Sequence, residues 1–152
     1  MYKIAAETII KGDLSSVWAV VTDVDNWPTW DPHEQEARLD GSFAVGTTGW
    51  SKPNGGPGTS WKITKVVEQK MWASESLMPG GKIAGENVFE PLGDERIRCS
   101  KTVWVSGPLV PLFWFYFGRM IRRDMFATWA ALERESDRRK VQLDKEKMII
   151  NF

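Results

Sequence analysis

The sequence predicts an α+β domain with a seven-stranded antiparallel sheet, two short helices after the first strand and one long helix near the C-terminal end. Three observations carry this. Lys3 to Ile10 reads as a strand and is followed at once by a helix signal. From about Glu34 onward apolar residues alternate with period two for about seventy residues. After Ser106-Gly107-Pro108 the period lengthens to that of a helix, with Ile121, Met125, Trp129 and Leu132 on one face.

Taken in order, Lys11-Gly12-Asp13 ends the first strand, and Asp13 or Ser15 is placed to cap a helix through Val17, Trp18, Val20 and Val21. Asp25 to Pro32 combines capping residues with two prolines, each restricting the residue before it, so a bent connector follows with Trp27 and Trp30 turned inward. Turn signals at Asp40-Gly41, Pro53 to Gly58, Glu68 to Lys70, Pro79 to Gly81 and Pro91 to Asp94 divide the period-two region. They leave strands near Glu36–Leu39, Thr47–Lys52, Ser60–Val67, Met71–Met78, Lys82–Glu90 and Arg96–Val105. Short turns between consecutive strands predict a meander. Leu109 to Phe117 is almost wholly apolar but far shorter than the roughly 20 residues that span a bilayer. It is expected to be a helix buried against the sheet, the alternative being a gate or a surface that meets a partner or membrane. A long amphipathic helix is expected over Arg119–Arg138. The domain would thus occupy residues 1–138, leaving 139–152 as a tail that is disordered or packs at an edge.

A chain of 152 residues suits one domain with one core. Its 20 basic and 20 acidic residues cancel, so no overall charge draws it to nucleic acid or anionic lipid, and only Arg119 to Arg123 is locally basic. Aromatic and basic residues do not interleave as in nucleic-acid binders. The single cysteine, Cys99, lies in an apolar strand pattern and has no intramolecular disulfide partner, which suits a reducing compartment. The first residues lack the pattern of a secretory signal, so a cytoplasmic location and no stable membrane insertion are expected. No Cys/His metal spacing, phosphate-gripping loop or serine elbow is present, and Gly55-Gly56-Pro57-Gly58 lacks the lysine and helix a phosphate cradle needs. No metal or cofactor is implied. His33, between Asp31 and Glu34 in a connector without a nucleophile, reads as a surface histidine. Oligomeric state is not legible.

Three consecutive strands each set one polar residue on an otherwise apolar face. One parity runs Ala73, Glu75, Leu77; the next Ile83, Gly85, Asn87, Phe89; the third Ile97, Cys99, Lys101, Val103, Val105. Buried polar groups are costly unless paired or hydrated, so Glu75, Asn87 and Lys101 facing inward predict a lined cavity instead of a filled core. If Ala73 stands opposite Asn87, and Asn87 opposite Lys101, the three form one patch. The nine tryptophans supply bulk for a core and, equally, wall for an aromatic pocket.

The order strand, two short helices, six-stranded meander and long terminal helix is that of the helix-grip fold. The chain resembles the START-like superfamily, which includes polyketide cyclases and dehydratases, the major birch pollen allergen and steroid-transfer domains. The likeness is to the bacterial polyketide cyclase/dehydrase-like branch. It is carried by Val17-Trp18-Ala19-Val20-Val21-Thr22-Asp23, Trp27-Pro28-Thr29-Trp30-Asp31-Pro32, the run Leu39 to Gly49, Leu77-Met78-Pro79-Gly80-Gly81 and Gly107-Pro108-Leu109. The resemblance implies a curved sheet wrapped around the long helix, with a cavity between them that takes apolar ligands. Where the branch is familiar with histidine, this chain has Asn87 and Lys101, so imidazole chemistry is not carried over.

The expected ligand is a small hydrophobic or aromatic molecule, lipid-like or polyketide-like. Trp30, Trp61, Phe89, Phe113, Phe117 and Ile121 would form its wall, and Glu75, Asn87 and Lys101 would orient its polar atoms. The alternatives are a cyclase or dehydratase in which Glu75 and Lys101 move protons, and an interaction module built on residues 109–117.

Overall fold

The computed structural model describes residues 1–150. In chain order the elements are β1 (Tyr2–Lys11), α1 (Leu14–Thr22), a 3-10 turn (Val24–Asn26), α2 (Trp27–Trp30), β2 (Glu34–Leu39), β3 (Thr48–Pro53), β4 (Thr59–Val67), β5 (Met71–Met78), β6 (Gly81–Gly93), β7 (Arg96–Ser106), α3 (Val110–Leu112), a π-helical turn (Phe113–Phe117) and α4 (Gly118–Ile150). The strands form one seven-stranded antiparallel sheet in the order β1-β7-β6-β5-β4-β3-β2. Six strands follow as a meander, and β1 returns to pair with β7, Tyr2 opposite Val105 through Lys11 opposite Arg96. This is the helix-grip arrangement.

Asp13 caps α1 as its sequence position implies, accepting the Ser16 backbone N–H at 2.9 Å. The apolar stripe of α1 then buries Val17, Val20 and Val21 against α4 and the sheet. From α4, Met125, Trp129 and Leu132 enter the same core as Ile63, Ile97, Cys99 and Val105. An aromatic cluster fills one end. Trp27 stacks on Trp61 with ring centroids 5.8 Å apart, and Trp72 meets Trp61 at 6.0 Å and Phe43 at 5.3 Å. Trp61 can lie flat on the sheet because β3 passes beneath it at Gly49, where an added Cβ would stand 2.4 Å from the indole. Gly49→Ala is therefore expected to tilt Trp61 and lower stability by about 1–2 kcal/mol, read as a shift in urea midpoint with a changed tryptophan emission.

Three features differ from the sequence expectation. The β5–β6 hairpin closes with a two-residue turn, Pro79-Gly80, so Met78 pairs with Gly81 and Trp72, not Ala73, stands opposite Asn87. Gly80 takes the positive φ of +72° that this tight turn demands. A slip of one residue turns every side chain of a strand over. Trp72, Ser74, Ser76 and Met78 thus face inward, whereas Glu75 lies on the outer face with its Oε2 3.4 Å from Lys82 Nζ.

Secondly, residues 139–150 continue α4 instead of forming a separate tail. Arg139 holds the helix down by ion pairs to Asp23 at 3.1 Å and Glu135 at 3.0 Å, and Lys140 reaches Asp13 at 3.4 Å and Glu95 at 3.3 Å. Beyond Lys140 every described side chain is exposed. Thirdly, the Leu109–Phe117 segment is not a buried helix. Leu109, Val110, Phe113 and Phe117 are partly buried, the two phenylalanines with ring centroids 5.3 Å apart, while Trp114, Phe115 and Tyr116 face out.

Candidate functional site

A cavity of about 310 Å³ lies between the concave face of the sheet, α2 and α4. Its apolar wall includes Trp27, Trp30, Trp61, Trp72, Phe89 and Trp129, with Ile121, Met125 and Leu132 from α4. Of the residues expected from sequence, Trp30, Trp61, Asn87, Phe89, Lys101 and Ile121 line it. Glu75, Phe113 and Phe117 do not: Glu75 is on the opposite face of the sheet, and the two phenylalanines pair with each other beside the start of α4.

The polar residues of the wall come from β2, β3, β5, β6, β7, α4 and the connector after α2. Asn87 stands directly opposite both Trp72 and Lys101, so a row of neighbouring strands presents indole, amide and ammonium in turn, at the roughly 5 Å spacing of cross-strand neighbours. Two carboxylates, Asp31 and Glu34, flank the turn between α2 and β2. Asp31 ends α2 and is buried, 8 % exposed; it accepts the His33 backbone N–H at 2.9 Å and the Thr128 hydroxyl at 3.2 Å. Glu34 opens β2. A bulge between Glu34 and Glu36 leaves Gln35 without an opposite partner, so Glu34 shares the inward face with Ala37 and Leu39, which period two alone would deny it.

Burial decides the charge state of this group. It is the largest influence on Glu34, whose carboxyl is pushed up to about 7, with the neighbouring Asp31 charge adding to the rise and Lys101 opposing it. Burial likewise raises Asp31, against the His33 N–H, the Thr128 hydroxyl and the charges of His33 and Lys101. It lowers Lys101, while Asp31 and Glu34 pull the other way. Near neutral pH, then, both forms of Glu34 are populated, and burial makes the Lys101 charge costly. Two wall atoms have no hydrogen-bond partner although buried: Glu34 Oε2 and Trp30 Nε1–H. At the rim, His33 is 40 % exposed with its Nε2 3.3 Å from Asp124 Oδ2, so it lines the cavity instead of being a plain surface histidine. Cys99, which the sequence places in an apolar strand pattern, is fully buried and its thiol is pushed up to about 12, mainly by burial.

Asp31, Glu34, Asp124 and Thr128 were not legible as site residues. Asp31 looked like a turn residue and Glu34 like a connector, and the bulge that turns Glu34 inward has no Gly or Pro to announce it.

A curved antiparallel sheet closed over a long terminal helix is the helix-grip, START-like fold. The chain belongs to the polyketide cyclase / dehydrase and lipid transport family, whose model matches residues 1–137. That membership supports a ligand-binding or cyclase role. No curated protein matches the sequence. Similar solved structures include a hypothetical protein from Helicobacter pylori, with a TM-score of 0.77 at 15% identity over 89% of this chain and 88% of that one. Another is the ZhuI aromatase/cyclase from a Streptomyces species, at 0.75 and 15% over 91% and 94%. A START superfamily protein from Mycobacterium smegmatis matches at 0.68 and 12% over 91% and 99%. At these identities the likeness is one of fold. No described helix is long and apolar enough to cross a membrane.

Proposed function

We propose that the protein binds a small hydrophobic or aromatic molecule, lipid-like or polyketide-like, inside the cavity. The ligand's apolar body lies against Trp30, Trp61, Phe89 and Ile121, and its polar end is oriented by Asn87, Lys101, Asp31 and Glu34. The observation that carries this reading is the placement of ionisable groups on the wall of an aromatic cavity, with Glu34 Oε2 and Trp30 Nε1–H left unpartnered. A core built only for stability has little use for such groups, since each buried polar atom without a partner costs about 1–3 kcal/mol. A ligand hydroxyl or carbonyl, or water it displaces, would satisfy them.

The test is titration with flat aromatic and fatty-acid probes, followed by tryptophan fluorescence. Lys101→Met is expected to weaken a carbonyl- or carboxylate-bearing probe at least tenfold, the worth of one charge-assisted hydrogen bond of about 1.5–3 kcal/mol, while an all-hydrocarbon probe is unaffected. Equal loss for both probes, or binding to neither by the native chain, would count against the cavity as the binding site.

A second reading, cyclase or dehydratase chemistry, is favoured by the Glu34 carboxyl poised near 7. Glu34 with Lys101 takes the place expected for Glu75 with Lys101. A poly-β-ketone turned over by the native protein and not by Glu34→Gln, with binding retained, is the expected signature; equal turnover would remove this reading.

A further inference from the structure

We infer that the π-helical turn and the first turn of α4 form a docking surface for an anionic lipid membrane, on which the protein sits reversibly. The inference is independent of what the cavity holds. Trp114 is 60 % exposed, Phe115 71 % and Tyr116 75 %, with Leu112 and Met120 beside them at 42 % and 41 %. Single exposed apolar residues are ordinary, but three consecutive large aromatic side chains form a patch. The wide i→i+5 turn creates it. Phe113 and Phe117 meet each other on the inner side, and the three rings between them are splayed outward. At the foot of the segment Gly80 and Gly81 lie against Gly107 and Pro108, and the hairpin they close carries Leu77, 81 % exposed.

Charge says what covers the patch. Between Arg96 and Arg123 there is no acidic residue, although the whole chain is neutral. Arg119, Arg122 and Arg123 follow the aromatic turn at helical spacing, and all three are exposed. No ion pair among the described residues engages Arg119 or Arg122, and Arg123 only approaches Asp124 at 3.8 Å. Trp and Tyr beside arginines is the combination that suits the headgroup layer: amphipathic rings at the interface, guanidinium groups on lipid phosphates. A second copy of the chain fits less well, because a two-fold contact through this patch would set the arginines against their own counterparts. Ile121, within the same turn of α4, lines the cavity.

Co-sedimentation of the full chain with phosphatidylcholine vesicles, and with the same vesicles containing phosphatidylglycerol, tests the inference. Binding is expected only to the anionic vesicles, and it is expected to fall with added salt. Replacing Arg119, Arg122 and Arg123 together with glutamine should weaken it roughly a hundredfold, and Phe115→Ser roughly tenfold. Far-ultraviolet circular dichroism identical to the native chain shows that each variant is folded. Brominated lipid should quench native fluorescence more than that of Trp114→Phe. Failure of the native chain to sediment with anionic vesicles, or equal sedimentation of the folded variants, would overturn the inference. So would a dimer in sedimentation velocity that Phe115→Ser abolishes, with no vesicle binding.

Discussion

Replacing Trp72 with alanine is expected to lower folding stability by about 3–5 kcal/mol, the usual cost of deleting a large aromatic side chain from a packed interior. Trp72 is 8 % exposed and is the ring on which Trp27, Trp61 and Phe43 converge. Its loss removes apolar burial and edge-to-face contacts together, and the neighbours cannot close the gap because Trp61 is fixed over Gly49 and tied to the Ser51 hydroxyl at 3.2 Å. The same change should enlarge the cavity and admit bulkier apolar probes. Urea unfolding measures the first effect and probe titration the second. A loss below about 1 kcal/mol would mean that the cluster collapses freely and that the wall is not pre-formed.

Glu34→Gln is expected to do the reverse above neutral pH, raising stability by as much as about 3 kcal/mol near pH 8 and leaving it unchanged near pH 4. The folded protein holds the Glu34 proton up to about 7, whereas the unfolded chain releases it near 4.5. Between those values the unfolded state sheds its proton first, so the native protein loses stability as pH rises, and the loss is complete above about 7. Glutamine keeps the uncharged form throughout. Comparing the two chains by urea unfolding at each pH cancels the titration of every group not coupled to Glu34. A difference that does not vary with pH would make Glu34 an ordinary carboxylate, and a less stable variant at pH 8 would mean that the ionised Glu34 and Lys101 support the fold as a pair.

Most of the fold was legible because its signals are local. Period-two runs, a capped α1, Gly- and Pro-marked turns and the stripe through Ile121, Met125, Trp129 and Leu132 each needed only a few neighbouring residues. On the strands where the alternation held, Asn87, Phe89 and Lys101 face the cavity. What failed was parity. A three-residue loop at Pro79 to Gly81 gives Glu75 inward, while the two-residue turn gives Trp72, Ser74 and Ser76, and the composition of the loop fits both. The bulge at Gln35 is silent for a similar reason: it is fixed by what β3 and the cavity require of β2, not by the residue itself. The 109–117 segment was misplaced because apolarity alone does not say which solvent a surface meets.

The extra residue in β2 has a consequence for how such a pocket can change its chemistry. Were β2 to pair without its bulge, Gln35 would take the place opposite Pro53 and the Glu34 carboxylate would turn outward, leaving Asp31 as the buried counter-charge of Lys101. A shift of register at the sheet's margin would thus convert an acid-rich chamber into a charge-balanced one without any substitution. In this architecture the register of an edge strand decides which acidic side chains face the chamber.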